Sequence, residues 1–380
     1  MLRKYTIILA LSVCGIVSAF AQGAVIGYAA GGDWIKPGGY TYTTFPANAQ
    51  LQRLTHVIAS DIGVITNKST KSYTGLWIKK LPNDWNTTQS GDVWNKSSKN
   101  NWLLNLVSRA HAEGVKVILC VGGGDPESYD HWVNATSGDQ ANSSSSISKF
   151  VSDIVKFAND HGLDGVDIDW ERINNNSTHW GQCFNLLTTL KSHQDFQCKR
   201  ISVALPYKHP DTYPAISGSR ISGQIWNTVD AIHLMTYDES QDGSDFVTHS
   251  QASSANKHIN NWAQWNVDYS LGMDLKKLHV GCAFYGWHPN IDDARVGYKD
   301  YATKPCSNKG DNLTDVATKV NHCYGDNSNS RVFGGVFIWE LGYDKIVNNV
   351  PELLDAICTK NNEKGGHVPT PLCTDRKSVV

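Results

Sequence analysis

The chain has 380 residues, with 34 basic and 36 acidic side chains and a formal charge of −2. A hydrophobic share of 40% excludes an intrinsically disordered protein, and the balanced charge excludes the basic footprint of a nucleic-acid or anionic-membrane binder. Aromatic wealth without matching basic charge (13 Trp, 15 Tyr, 10 Phe) points to a neutral ligand rather than a phosphate polymer.

At the N-terminus, Arg3 and Lys4 precede an apolar run over 7–17 and then Ala19-Phe20-Ala21. Basic start, short apolar core and small-x-small end read as a cleavable secretory signal over 1–21. The run is too short to cross a bilayer, so a secreted, extracellular protein beginning near Gln22 is expected. β-Branched runs predict strands at 25–29, 56–60, 115–121, 163–171, 201–207, 231–238, 279–285 and 335–340. Between them, Leu103, Leu106, Val107 and Ala110 have helical spacing and Gly114 closes that helix. Ile147, Phe150, Val151, Ile154 and Val155 repeat the pattern up to Gly162; Phe184, Leu187 and Leu190 make a third helix. Further helices are expected at 313–320 and after Pro351, through Leu353, Leu354 and Ile357.

Eight alternating units predict an α/β protein, a (β/α)8 TIM barrel, with one catalytic domain over 22–364 and a tail or linker start over 365–380. Residues 375–380 read as a sequencing artefact, with the natural chain continuing past Thr374. A doubly wound sheet would place a glycine-rich phosphate loop after its first strand, and Gly31-Gly32-Asp33-Trp34 does not fit that fingerprint. Segments 136–146 and 239–253 read as polar loops. With Cys14 in the signal, eight cysteines remain for an oxidising compartment. Cys183/Cys198, Cys306/Cys323 and Cys358/Cys373 each flank a short stretch and are expected to pair, with Cys120 and Cys282 as buried strand thiols.

The fourth predicted strand carries the chemistry. Alternation puts Asp167, Asp169 and Glu171 on one face and Val166, Ile168 and Trp170 on the other. In a parallel barrel the apolar set faces the helices, so the acids climb the interior towards the C-terminal mouth. Carboxylates that close together do not all ionise cheaply in a low-dielectric site, so at least one pKa is expected to rise, as a general acid requires. A Mg²⁺ or Ca²⁺ site is the rival reading, but one strand supplying every ligand makes poor octahedral geometry. Neither metal nor cofactor is expected.

Residues 164–171 read D-G-x-D-x-D-x-E, which resembles the signature of glycoside hydrolase family 18: chitinases, lectin-like relatives and endo-β-N-acetylglucosaminidases. Cys120-Val121-Gly122-Gly123 is similar to the family's S-x-G-G, with Cys for Ser; Met235-Thr236-Tyr237-Asp238 matches M-x-Y-D. Residues 281–286 are similar to G-x-x-F-Y-G, Trp339 to the Trp flooring the sugar site, and Tyr28 to the first-strand Tyr. The resemblance implies a substrate-assisted retaining mechanism with catalytic Glu171, Asp169, Asp167 and Tyr237. Glu171 would be the general acid, Asp169 would orient the substrate acetamido group, Asp167 would share a proton with Asp169, and Tyr237 would bond the acetamido oxygen. Tyr28, Gly122, Gly123, Met235, Asp238 and Trp339 would line the substrate site, with Asp164 structural. The family Ser helps hold the lower Asp, and Ser60 is the expected substitute for it here.

Trp34, Trp132, Trp180 and Trp287 follow strand ends and are expected to offer sugar-stacking faces, while Trp102, Trp262 and Trp265 at helical positions pack. The short stretch 287–334 has no room for the small α+β domain many family members insert, which implies an open groove and endo cleavage. The expected protein is a secreted, endo-acting chitinase on β-1,4-linked N-acetylglucosamine, binding chitin or its oligosaccharides, with no nucleic-acid or membrane partner, as a monomer. An endo-β-N-acetylglucosaminidase on glycoproteins, a peptidoglycan hydrolase and a chitin-binding lectin are the alternatives.

Overall fold

The computed structural model describes residues 23–30, 45–66, 73–78, 98–123, 128–138, 145–171, 173, 177–196, 199–209, 225–238, 249–291, 295–325 and 330–366. The expected signal, the tail beyond 366, Trp34, Cys14, Cys198, Cys373 and most of the two polar loops lie outside these residues. Eight strands are parallel: β1 (Ala24–Ala30), β2 (His56–Thr66), β3 (Lys116–Gly122), β4 (Gly165–Asp169), β5 (Arg200–Pro206), β6 (Ala231–Met235), β7 (Leu278–Ala283) and β8 (Gly335–Trp339). Each pairs with the next, and β8 pairs with β1, so the sheet closes into the expected barrel.

Helices return the chain outside the sheet. In Ser146–Asp160, Ile147, Phe150, Val151, Ile154 and Val155 form the buried stripe, and the Ser145 hydroxyl caps the start by accepting the Ser148 N–H at 3.4 Å. Each such side chain, fully buried, contributes roughly 1.5–3 kcal/mol. The N-terminal end of the barrel is tied by a repeated device. The residue just before β2, β4 and β6 uses its side chain to accept a backbone N–H from the preceding strand: Thr55 from Val25 at 3.1 Å, Asp164 from Val117 at 2.9 Å, and Asp230 from Ile201 at 2.9 Å. Asp164 also takes His111 and Lys116, at 2.7 and 3.0 Å, so its role is structural.

At the other end, β2 runs past the rim and pairs antiparallel with Tyr73–Ile78, whose Tyr73 hydroxyl donates to Asp153 at 2.8 Å. Between β7 and β8 the described residues hold a two-stranded hairpin, Tyr285–Trp287 with Arg295–Gly297, and the helix Leu313–Cys323, with no larger insertion. No helix of the described residues is long and apolar enough to cross a membrane. Cys306 and Cys323 do not pair: the Cys323 thiol donates to the Gly335 carbonyl at 3.3 Å, on β8, while Cys306 donates to Asn308 in a separate loop. Cys183 and Cys358 are buried thiols whose expected partners lie outside the described residues.

Candidate active site

Val166, Ile168 and Trp170 are buried on the helix side of β4, and Trp170 lies nearly parallel to Trp132, with ring centres 5.1 Å apart, and also stacks on His179. With that face consumed, the acids take the interior. Asp167 is fully buried, between register partners Cys120 on β3 and Ser202 on β5. The Tyr28 hydroxyl donates to its Oδ2 at 2.7 Å and the Ser202 hydroxyl to its Oδ1 at 2.6 Å. Burial pushes the Asp167 carboxyl up to about 6, against the pull of hydrogen bonds from Ser202, Tyr28 and the Cys120 thiol.

Asp169, almost fully buried, stands one inward position higher, beside Gly122 and Ala204. Gly122 adopts φ 116°, and a Cβ there would collide with the Asp169 carbonyl and the Trp132 ring. The Gly123 N–H donates to the same carbonyl at 2.9 Å, so the glycine pair fixes the backbone that aims Asp169. Glu171 falls in a turn just past the end of β4, half-buried, and its charge acts on Tyr237 and Arg295, which places it at the mouth rather than among the helices.

The strand expected over 231–238 ends at Met235, which is half-buried against the core. Thr236 turns the chain: its N–H bonds the Leu234 carbonyl at 2.7 Å, and its hydroxyl exchanges bonds with Gly281 on β7. That turn presents Tyr237 and Asp238 to the interior. A Cβ on Gly281 would stand 2.8 Å from the Tyr237 ring, so glycine is what lets that ring in. Burial first, then the charges of Asp169, Asp238 and Glu171, raise the Tyr237 hydroxyl well above its ordinary value, which keeps it a hydrogen-bond donor.

Asp238 has φ 57° and collects three side-chain contacts: the Tyr285 hydroxyl at 2.5 Å, the Trp287 indole N–H at 3.1 Å and His249 Nδ1 at 3.0 Å. Burial pushes its carboxyl up, but His249, Tyr285 and Arg295 outweigh burial and hold it below the usual carboxylate range. The Arg295 guanidinium lies over the Tyr285 and Trp287 rings at 5.1 and 5.4 Å. Trp339 ends β8 half-buried, its ring centre 5.4 Å from Tyr28, and so borders the Tyr28–Asp167 pair.

The structure therefore brings Tyr28, Asp167, Asp169, Glu171, Tyr237, Asp238 and Trp339 to one end of the barrel. Two expectations change. Ser60 makes no hydrogen bond through its hydroxyl, and Ser202 is the residue that supplements Cys120, because β5 rather than β2 lies beside Asp167. Its signal was present: Ser202 and Ala204 alternate with Ile201, Val203 and Leu205, the inward parity of a barrel strand. Trp132 and Trp180 are only 1% exposed, on helices, so they pack instead of facing a ligand. Trp287 does reach the mouth, while Trp102, Trp262 and Trp265 pack as expected. His249 and Arg295 carried no spacing that marked them, whereas Tyr285 lay inside the G-x-x-F-Y-G match over 281–286 without an assigned role. Among the described residues no group of three or more His, Cys, Asp or Glu has metal-holding geometry.

Comparison with known proteins converges on the same reading. The chain is 27% identical over 379 residues to Endochitinase 1 of Metarhizium robertsii, covering 84% of this chain and 81% of that protein. It is 25% identical over 355 residues to Chitinase 1 of Aphanocladium album, covering 79% and 78%. Its fold is similar to that of a family 18 chitinase variant from Cycas revoluta, solved in complex with (GlcNAc)4, at TM-score 0.61 and 16% identity, covering 90% of this chain and 100% of that one. The family model described as Glycosyl hydrolases family 18 matches residues 25–344, and with the acid ladder in place the chain belongs to that family.

Proposed function

We propose that this glycoside hydrolase is a secreted chitinase that cleaves β-1,4 bonds between N-acetylglucosamine units, within chains, by a substrate-assisted retaining mechanism. The observation that carries the reading is the inward ladder Asp167–Asp169–Glu171 with Tyr237 beside it. Glu171, at the mouth and half-buried, protonates the glycosidic oxygen. The substrate's acetamido oxygen attacks the anomeric carbon, forming an oxazolinium ion as the leaving sugar departs. Asp169 orients the acetamido N–H and balances the positive charge that develops. Asp167, whose pKa of about 6 lets it gain or lose a proton near neutrality, shares a proton with Asp169. Tyr237 donates to the acetamido oxygen, and Trp339 offers its face to the sugar ring. Glu171 then deprotonates the water that opens the ring with retained configuration.

Support for chitin comes from the chitinase relatives, from the (GlcNAc)4 complex of the structural neighbour, and from the Trp287 and Trp339 rings at the mouth. Export rests on the N-terminal sequence, and endo cleavage on the short β7–β8 connection. The test is hydrolysis of a chromogenic chitobioside by wild type and Glu171→Gln: the variant should lose at least about 100-fold in kcat, as removal of a positioned acid does. Equal rates in both would overturn the enzyme assignment. Product masses from chitin polymer, chitin oligomers and a high-mannose glycoprotein decide the substrate, and a β-anomer product measured at once by NMR decides retention.

A further inference from the structure

β6 stops pairing with β7 at Leu234–Val280, where Thr236 turns its chain away, yet β7 runs on to Ala283. Alternate residues of a parallel strand turn their backbone groups to opposite neighbours. Phe284 donates to the Trp339 carbonyl on β8 at 2.9 Å, so Gly281 and Ala283, of the other parity, face the side that β6 has left. Buried there without a strand, their backbone groups need other partners. Side chains supply them. Lys319, on the helix Leu313–Cys323, donates to the Gly281 carbonyl at 2.9 Å, to the Ser250 hydroxyl at 2.9 Å and to the Asp311 carboxylate at 2.8 Å. Asp311 Oδ2 accepts the Ala283 N–H at 2.7 Å and the Ser250 hydroxyl at 2.9 Å, and the Asp311 N–H bonds the Ala283 carbonyl at 2.9 Å. Lys319 and Asp311 are fully buried, and Ser250 almost so.

This network reaches the site through one carbonyl. That of Gly281 receives both Lys319 Nζ and the Thr236 hydroxyl, at 2.9 and 3.1 Å, and the Gly281 N–H returns a bond to Thr236 Oγ1 at 2.9 Å. Thr236 makes the turn that presents Tyr237, and the Tyr237 ring packs where a Cβ on Gly281 would stand, 2.8 Å from that position. We propose that Lys319, Asp311 and Ser250 are positioning residues: they stand in for β6 along the end of β7, and so hold Gly281 and Thr236 where the Tyr237 hydroxyl meets the substrate's acetamido oxygen. The proposal rests on the chitinase reading for its activity arm. A contact kept only to pin the helix to the sheet has no need of buried polar groups, since apolar side chains of similar volume serve as well or better. Here the buried side chains are directed at the two β7 residues that β6 leaves unpaired, and one of these touches Tyr237.

The test is a mutant cycle against Tyr237. Lys319→Met with Asp311→Asn deletes the bond to Gly281, keeps an acceptor for the Ala283 N–H and leaves no unpaired charge inside. On a chitobioside this double variant should lose about 10-fold in kcat with KM within about twofold. In a Tyr237→Phe background the same two substitutions should cost no more than about twofold further, because the hydroxyl they position is already gone. An equal loss in both backgrounds would overturn the proposal. Ser250→Ala, which leaves the Lys319–Asp311 pair intact, is the milder variant should the double one fail to fold; it should lose about threefold in kcat, again only when Tyr237 is present. NMR of the ¹³C-tyrosine-labelled full chain gives an answer independent of activity. The Tyr237 signal, assigned by its loss in Tyr237→Phe, should shift in the Lys319→Met/Asp311→Asn variant, while that of Tyr73, bonded to Asp153, stays in place. An unmoved Tyr237 signal would defeat the positioning role even if chitin were cleaved. Inactivity of the wild type would instead sink the chitinase reading and leave the NMR result to decide.

Discussion

Inside the barrel, Asp167 is fully buried against Tyr28, Ser202 and Cys120, and His56, His233 and His279 are buried about as deeply. The His233 ring lies 5.3 Å from His279, 5.2 Å from Phe337 and 6.1 Å from Tyr28, while Arg200 donates to His56 Nε2 at 3.1 Å. The same scarcity of water favours the neutral form in both places, raising the carboxyl and lowering the imidazoles. What differs is the company. Three donors pull Asp167 back to about 6, whereas burial alone drives His233 down to about 3, and His56 and His279 fall with it. Of these four groups Asp167 alone is left able to change charge near neutral pH, and the three histidines behave as a fixed neutral floor.

The largest test of this contrast is acid unfolding. His233 is neutral when folded down to about 3 but ionises from 6.5 downwards when unfolded, so its contribution is complete above 6.5 and is lost as pH falls. His233→Leu removes that proton uptake, and the stability curve from urea unfolding should flatten between pH 6 and 4 by up to about 1.4 kcal/mol per pH unit. An unchanged slope would show that the floor is not neutral.

The mouth responds in the other direction. Asp167, raised from 3.8 to about 6, stabilises the fold below 3.8, and that gain is lost as pH rises through 6. Ser202→Ala deletes a donor to the carboxylate, so Asp167 should titrate roughly one unit higher by ¹³C NMR, in line with a bond to a charged group. A fall or no shift would break the idea that these donors restrain it. The smallest effect is expected from Cys120→Ser, which restores the hydroxyl of the family motif: as the stronger donor, it should lower the Asp167 titration by a few tenths of a unit.

Much of this site was legible beforehand because its key feature is local. Alternation along one extended segment depends on nothing beyond backbone geometry, so the acids of 163–171 could be assigned a face, and Val166, Ile168 and Trp170 the opposite one, before any partner was known. The same rule identified all eight strands and, applied to 201–207, would have exposed Ser202. It failed at strand ends. Tyr237 and Asp238 lie beyond β6 because Thr236 turns the chain, and Tyr285 begins a hairpin rather than extending β7.

The amino-acid sequence by itself determined the barrel, the inward stack of carboxyls and the aromatic-rich composition, since these follow from periodicities of two and near four along the chain. Tertiary structure decided which neighbours those groups meet. It placed Ser202 rather than Ser60 on Asp167, sent Trp132 and Trp180 behind the sheet, and set His249 against Asp238. Such pairings depend on strand register and on loops that cross the barrel mouth, where residues distant in sequence meet and no local pattern records the meeting.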